Sequence, residues 1–196
     1  ETVVQDSKVV TPSGEGWNYD SSTNTLYVTE DVTIEADIPK IIKSTGDLHI
    51  TVANGVTLTL ISTHTQNDRF VIYADGNIVL DGGGTINITH DDQSKGGVRA
   101  QKGITIEGIT LNLLSGGAFA EIRANGGELL IEDAVVTANG LCMAWNNSKN
   151  YYPVHILGQS VVNIESTNAS GGLRGETFEF SDQAHVKVRS SMKLIC

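Results

Sequence analysis

Apolar residues recur along the chain in short triplets with a polar or variable residue between two apolar ones. One series runs Leu48-His49-Ile50, Ile78-Val79-Leu80, Ile104-Thr105-Ile106, Leu129-Leu130-Ile131, Val154-His155-Ile156 and Phe178-Glu179-Phe180, with starts 30, 26, 25, 25 and 24 residues apart. A second keeps step with it: Leu58-Thr59-Leu60, Ile86-Asn87-Ile88, Leu111-Asn112-Leu113, Val136-Thr137-Ala138, Val162-Asn163-Ile164 and Val186-Lys187-Val188. A third comprises Ile72-Tyr73-Ala74, Val98-Arg99-Ala100, Ile122-Arg123-Ala124, Cys142-Met143-Ala144 and Leu173-Arg174-Gly175. Alternation with period two is the signature of a strand with one buried face. Turns such as Gly46-Asp47, Asp75-Gly76, Gly82-Gly83-Gly84 and Gly126-Gly127 separate the triplets.

Three strands per roughly 25 residues, repeated in phase, describe coils that stack strand over strand. The expected fold is all-β: a single-stranded, right-handed parallel β-helix of about seven coils, some incomplete, with three short strands each. Residues 26–190 form the coils, with Leu26-Tyr27-Val28 and Val32-Thr33-Ile34 in the first. Residues 1–25, with Trp17 and Tyr19, form an N-terminal cap, and 191–196 a C-terminal tail, within one domain. A β-sandwich also offers many short strands, but its strands have no reason to hold phase over six units.

Composition fits this picture. Glycine supplies 21 of 196 residues, and charged residues only 18%. The balance of 13 basic against 23 acidic residues gives a net charge of −10, which removes the electrostatic footprint expected of a nucleic-acid binder. No apolar run approaches the ~18 residues of a transmembrane helix. Cys142 and Cys196 are too few for a disulfide framework; they are either bridged to each other or a small core residue and a terminal thiol. Asn87, Asn146 and Asn168 sit in short glycosylation patterns that arise easily by chance.

The segment Gly16-Trp17-Asn18-Tyr19-Asp20-Ser21-Ser22-Thr23-Asn24-Thr25-Leu26-Tyr27-Val28 resembles an opening motif of secreted or surface parallel β-helix proteins of anaerobic bacteria. The repeat Val98-Arg99-Ala100-Gln101-Lys102-Gly103-Ile104-Thr105-Ile106-Glu107-Gly108-Ile109-Thr110-Leu111 is similar to theirs as well. The resemblance spans residues 14–190, most of it the repeat itself. It implies a secreted or cell-surface location, recognition of acidic plant polysaccharides and, in some members, calcium. It carries over no ligand residues.

Candidate sites follow from the outward positions. In the third series these are Tyr73, Arg99, Arg123, Met143 and Arg174, so arginines stack one rung apart, about 4.8 Å. Glu121, Glu176, Asp75 or a bound carboxylate would have to offset their repulsion. The guanidinium fork suits a carboxylate, so the row is either a carbohydrate-binding site for an acidic glycan or a wall neutralised by local acids. The polar turns 62–69 and 89–95 place Asp68, Asp91 and Asp92 as possible calcium ligands, with His64 and His90 expected to be solvated turn residues. The insertion 144–153 carries Trp145, Tyr151 and Tyr152. These aromatics either stack on apolar sugar faces, with Trp145 and Tyr151 as carbohydrate-binding candidates, or Trp145 folds back to cover the coil wall. The row Thr59, Asn87, Asn112, Thr137, Asn163 and Lys187 is expected to form a hydrogen-bonded ladder.

No catalytic motif accompanies these features; Gly82-Gly83-Gly84 is a turn between strands, not a phosphate cradle. The leading expectation is a non-catalytic carbohydrate-binding module. The alternatives are a structural or adhesion module without a small ligand and a polysaccharide lyase. In a lyase Arg99 or Arg123 would serve as base and calcium at the three aspartates would neutralise a uronate.

Overall fold

The structure is a computed structural model. It describes residues 13–64, 70–90, 96–114, 120–146, 150–166 and 172–190. The chain begins with a hairpin of β1 (Ser13–Gly14) and β2 (Trp17–Asp20), which runs on into β3 (Thr25–Val28), β4 (Val32–Ala36) and β5 (Ile42–Ser44), the first turn of a solenoid. The next turns are β6 (Leu48–Val52), β7 (Thr57–Ser62) and β8 (Phe70–Ala74), then β9 (Ile78–Asp81), β10 (Thr85–His90) and β11 (Gly96–Ala100). They continue with β12 (Ile104–Glu107), β13 (Thr110–Leu113) and β14 (Ala120–Ala124), and with β15 (Leu129–Glu132), β16 (Val135–Ala138) and β17 (Leu141–Ala144). The last are β18 (Val154–Leu157), β19 (Val161–Ser166) and β20 (Leu173–Arg174), followed by β21 (Phe178–Phe180) and β22 (His185–Ser190). There are about six turns of three strands, and no helix among the described residues.

Every third strand pairs with its counterpart one turn away, which builds three sheets. The first has nine strands (β1-β2-β3-β6-β9-β12-β15-β18-β21), the second seven (β4 to β22) and the third six (β5 to β20). Among the described strands, pairing between turns is parallel, and β1–β2 and β2–β3 pair antiparallel. This settles the competition with a sandwich in favour of the parallel β-helix. The register follows the repeat: Leu58, Ile86, Leu111, Val136 and Val162 lie in one column. All five are buried within a single continuous core. A hydrogen-bonded coil has no freedom to slip by one residue, because a slip would exchange its apolar and polar faces.

The third sheet turns sharply into the first through a column of small residues, Ser44, Ala74, Ala100, Ala124 and Ala144. Turn side chains then lock each coil to the next. Asn77 donates its backbone N–H to Asp47 Oδ1 at 2.7 Å, and Gly103 donates its own to Asn77 Oδ1 at 3.0 Å. On the second face Asn112 Nδ2 donates to Asn87 Oδ1 at 2.9 Å, one step of the ladder expected of that row. Gly82 needs to be glycine twice over. Its φ is +108°, and a Cβ there would lie 2.4 Å from the Val52 carbonyl oxygen.

The two ends differ from the middle. At the N-terminal end the β1–β2 hairpin lies antiparallel along the first sheet and so covers its edge, the part of the expected cap that falls on described residues. Residues 1–12 and the tail 191–196 lie outside those residues. At the C-terminal end the core columns emerge. Phe180 is 48% exposed, although Ile156, its neighbour one rung earlier, is fully buried.

Candidate functional site

The arginine row is built as the repeat predicts. On the third sheet the outward positions align in register as Lys43, Tyr73, Arg99, Arg123, Met143 and Arg174. The inward partners Ile72, Val98, Ile122 and Cys142 are buried, so the alternation that fills the core also forces the intervening side chains outward. Six rungs at ~4.8 Å give a column about 24 Å long. Cations occupy its first, third, fourth and sixth rungs.

Lys43 was not part of the sequence-based column. Its triplet, Ile42-Lys43-Ser44, carries serine where the later ones carry alanine, which hides it from a search for apolar flanks. The interval of 30 from Ile42 to Ile72 was the available signal, since the first series opens with the same interval.

Aromatic rings, rather than acids alone, accompany the charges. The Arg99 guanidinium carbon lies 5.3 Å from the centre of the Phe70 ring, and that of Arg123 lies 5.0 Å from the Trp145 ring. Lys40 Nζ stands 5.0 Å from the centre of the Tyr73 ring. Each contact is worth about 0.5–1 kcal/mol where exposed and more where desolvated. Phe70 has no counterpart in the triplet pattern. It begins a run of three buried residues, Phe70, Val71 and Ile72, that breaks the alternation of β8.

Of the acids named for charge balance, Asp75 accepts a hydrogen bond from the Tyr73 hydroxyl at 2.7 Å. That hydroxyl also accepts from Gln101 Nε2 at 2.7 Å, and Asn125 Nδ2 donates on to Gln101 Oε1 at 2.7 Å. This polar chain crosses three coils beside the column and fixes the Tyr73 ring. Burial pushes the Tyr73 hydroxyl above the usual tyrosine range; the Gln101 bond opposes the shift and the Asp75 carboxylate reinforces it.

The aromatics of the 144–153 insertion differ in exposure. Trp145 packs on Met143 and under Arg123, so it covers the wall of the third sheet. Its indole Nε1 is buried with no hydrogen-bond partner among the described residues. Tyr151, 41% exposed, pairs antiparallel with Trp145, their ring centres 6.4 Å apart and tilted by 39°. Tyr151 therefore presents its ring to solvent at the edge of the arginine column.

Asp68, Asp91 and Asp92 lie outside the described residues, as does Cys196; Cys142 is a fully buried core residue. The segments that hold these aspartates join the second sheet to the third in successive turns, β7 to β8 and β10 to β11. Among the described residues no three acidic, histidine or cysteine side chains converge as a metal site. His90 departs from expectation. It is not a solvated turn residue but the last residue of β10, 4% exposed and paired in register with Ser62. His64 lies 2.6 Å from Asp37 Oδ1 through its Nδ1. On the first face His49 meets Asp81 at 2.7 Å, and His155 lies 2.7 Å from Glu179 and 3.7 Å from Glu128.

The chain matches no protein-family model, no curated protein and no solved structure. Among the described residues no helix is long and apolar enough to cross a membrane.

Proposed function

We propose that the protein is a non-catalytic carbohydrate-binding module that holds an acidic polysaccharide along its third face. The observation that carries this reading is the register column Lys43, Arg99, Arg123 and Arg174 in a chain of net charge −10. A rigid ladder repeats its cations at a spacing set by the backbone, about 4.8 Å or a multiple of it. That favours a ligand that is itself a linear polymer of charged rings. The Arg99 and Arg123 guanidinium groups stand over the Phe70 and Trp145 rings. Their N–H donors lie in the plane of the fork, the geometry that pairs with a carboxylate. Tyr151 supplies an exposed ring face at the same edge for a sugar. The likeness to secreted β-helix proteins of anaerobic bacteria points the same way and adds a location at the cell surface or outside the cell.

The test is calorimetric titration of an oligogalacturonide, with and without calcium, against the wild type, Arg123→Lys and Arg99→Ala. Both variants should weaken binding, and rising salt should weaken it further because surface charge pairs are screened. Arg123→Lys keeps the charge and loses the fork, so it separates paired hydrogen bonds from simple attraction. Equal binding by all three proteins, or tighter binding of neutral sugars, would make the column a solvated wall and leave a structural or adhesion module as the better reading.

A further inference from the structure

A cavity of about 340 Å³ opens at the N-terminal end of the same column. It lies between the β2–β3 hairpin and β5, the outermost strand of the third sheet. Trp17 and Tyr19 contribute aromatic wall, and Asn24, Lys43, Ser44 and Thr45 contribute polar groups. Lys43 is thus shared: it is the first rung of the column and part of the cavity lining. Among the described residues no carboxylate lines the cavity, and Lys43 is the one charged residue of its lining.

The polar groups hold one another in place. The Tyr19 hydroxyl donates to Asn24 Oδ1, and Asn24 Nδ2 donates to Ser44 Oγ at 2.8 Å and to the Asp47 carbonyl. Ser44 Oγ accepts from the Gly46 N–H at 3.1 Å and donates to the Asp47 carbonyl at 3.0 Å. A site whose hydrogen-bonding groups are already fixed spends little of its binding energy on ordering itself.

We infer that this cavity receives the terminal residue of the acidic polysaccharide, so that the module recognises chain ends and not only chain interiors. The inference rests on the proposed role of the arginine column. Its chemistry is specific: the Lys43 ammonium for a carboxylate, the Tyr19 and Thr45 hydroxyl oxygens for ring hydroxyls, and aromatic carbon for the apolar face of a pyranose. Its position is equally specific. β5 is the outermost strand of the third sheet among the described residues and the cavity lies beside it, so a polymer lying along the ladder reaches the cavity at the Lys43 rung.

Two titrations test it. In the first, an oligogalacturonide with free ends is compared with one of equal length carrying a bulky label at the reducing end and one carrying it at the other end. All are titrated by calorimetry into the wild type, Thr45→Trp and Arg123→Ala. Thr45 is exposed in the turn after β5 and lines the cavity, so tryptophan there fills it and leaves Arg99, Arg123 and Arg174 of the ladder unchanged. One of the labels, and Thr45→Trp, should each weaken binding at least tenfold. If neither label nor Thr45→Trp has an effect while Arg123→Ala weakens binding, the end-recognition inference is overturned and the column stands.

In the second, galacturonate monosaccharide is titrated while the Trp17 indole N–H resonance is followed by NMR. A saturable shift that is lost in Lys43→Ala and in Thr45→Trp supports the cavity even if the oligomer ignores the arginines. Absence of a shift in the wild type overturns it.

Discussion

Truncating Leu111 to alanine probes the stack where it is most constrained. Leu111 is fully buried, with fully buried Ile86 and Val136 as its neighbours one rung away on either side. The substitution removes about three methylene equivalents, or ~2.4 kcal/mol at ~0.8 kcal/mol each. The rungs on both sides are fixed by parallel hydrogen bonds and cannot collapse into the space, so the cavity term adds to the loss and brings the total to about 3–4 kcal/mol. The control is Val186→Ala in the final turn of the same column, where the side chain is only half buried. There the cost should be about 1 kcal/mol, since fewer carbons are lost and part of the area is already wet. Urea unfolding followed by far-UV circular dichroism measures both, and amide exchange in β10, β13 and β16 shows whether the loss is felt in adjacent coils, as nearest-neighbour coupling requires. Leu111→Asp should go further and unfold those coils, because an ionised carboxylate finds no partner in an apolar cylinder. If Leu111→Ala cost no more than Val186→Ala, the column would not be the spine of the core and the energetic reasoning would fail.

Gly82→Ala should destabilise by more than the usual glycine-to-alanine change, since the new Cβ meets the Val52 carbonyl oxygen at a positive φ; a lowered urea midpoint with an unchanged slope checks this. Asn112→Ala should cost about 1 kcal/mol through loss of the Asn87 bond, and Asn87→Ala together with Asn112→Ala should be less than additive, read from a double-mutant cycle. Burial holds the Tyr19 and Tyr73 hydroxyls above the usual tyrosine value, with the Asp20 charge adding to the effect on Tyr19. A raised folded value means that their contribution to stability is complete below the unfolded value near 10 and is lost as pH rises through the folded one. Ultraviolet titration should therefore show late-ionising tyrosines that become ordinary in urea, and stability should fall on the alkaline side. A tyrosine titration identical in folded and unfolded protein would contradict this.

The fold was legible because the solenoid writes its geometry into the sequence at fixed intervals. Leu58, Ile86, Leu111, Val136 and Val162 could be placed in one column before any coordinates, since each coil repeats the same inside–outside choice and parallel stacking puts equivalent residues one rung apart. For the same reason Tyr73, Arg99, Arg123, Met143 and Arg174 were correctly aligned on one face. Periodicity fixes which residues share a column, and a column is a local, repeated object.

What the tertiary structure decided lies where the repeat is broken. Phe70 beneath Arg99 is a contact between strands of neighbouring coils, while Trp145 beneath Arg123 and Lys40 over Tyr73 come from positions just outside a strand, and no interval in the sequence encodes any of the three. His90 reads as part of a polar turn, yet the strand extends far enough to bury it. The cavity at Lys43 exists because β2, which belongs to no repeat, pairs antiparallel with β3 in the first sheet beside β5 of the third. Hydrophobic alternation determines a direction, inward or outward, for each side chain. Which outward side chains meet one another depends on turn geometry and on how the chain ends are closed, and these are fixed only once the coils are stacked.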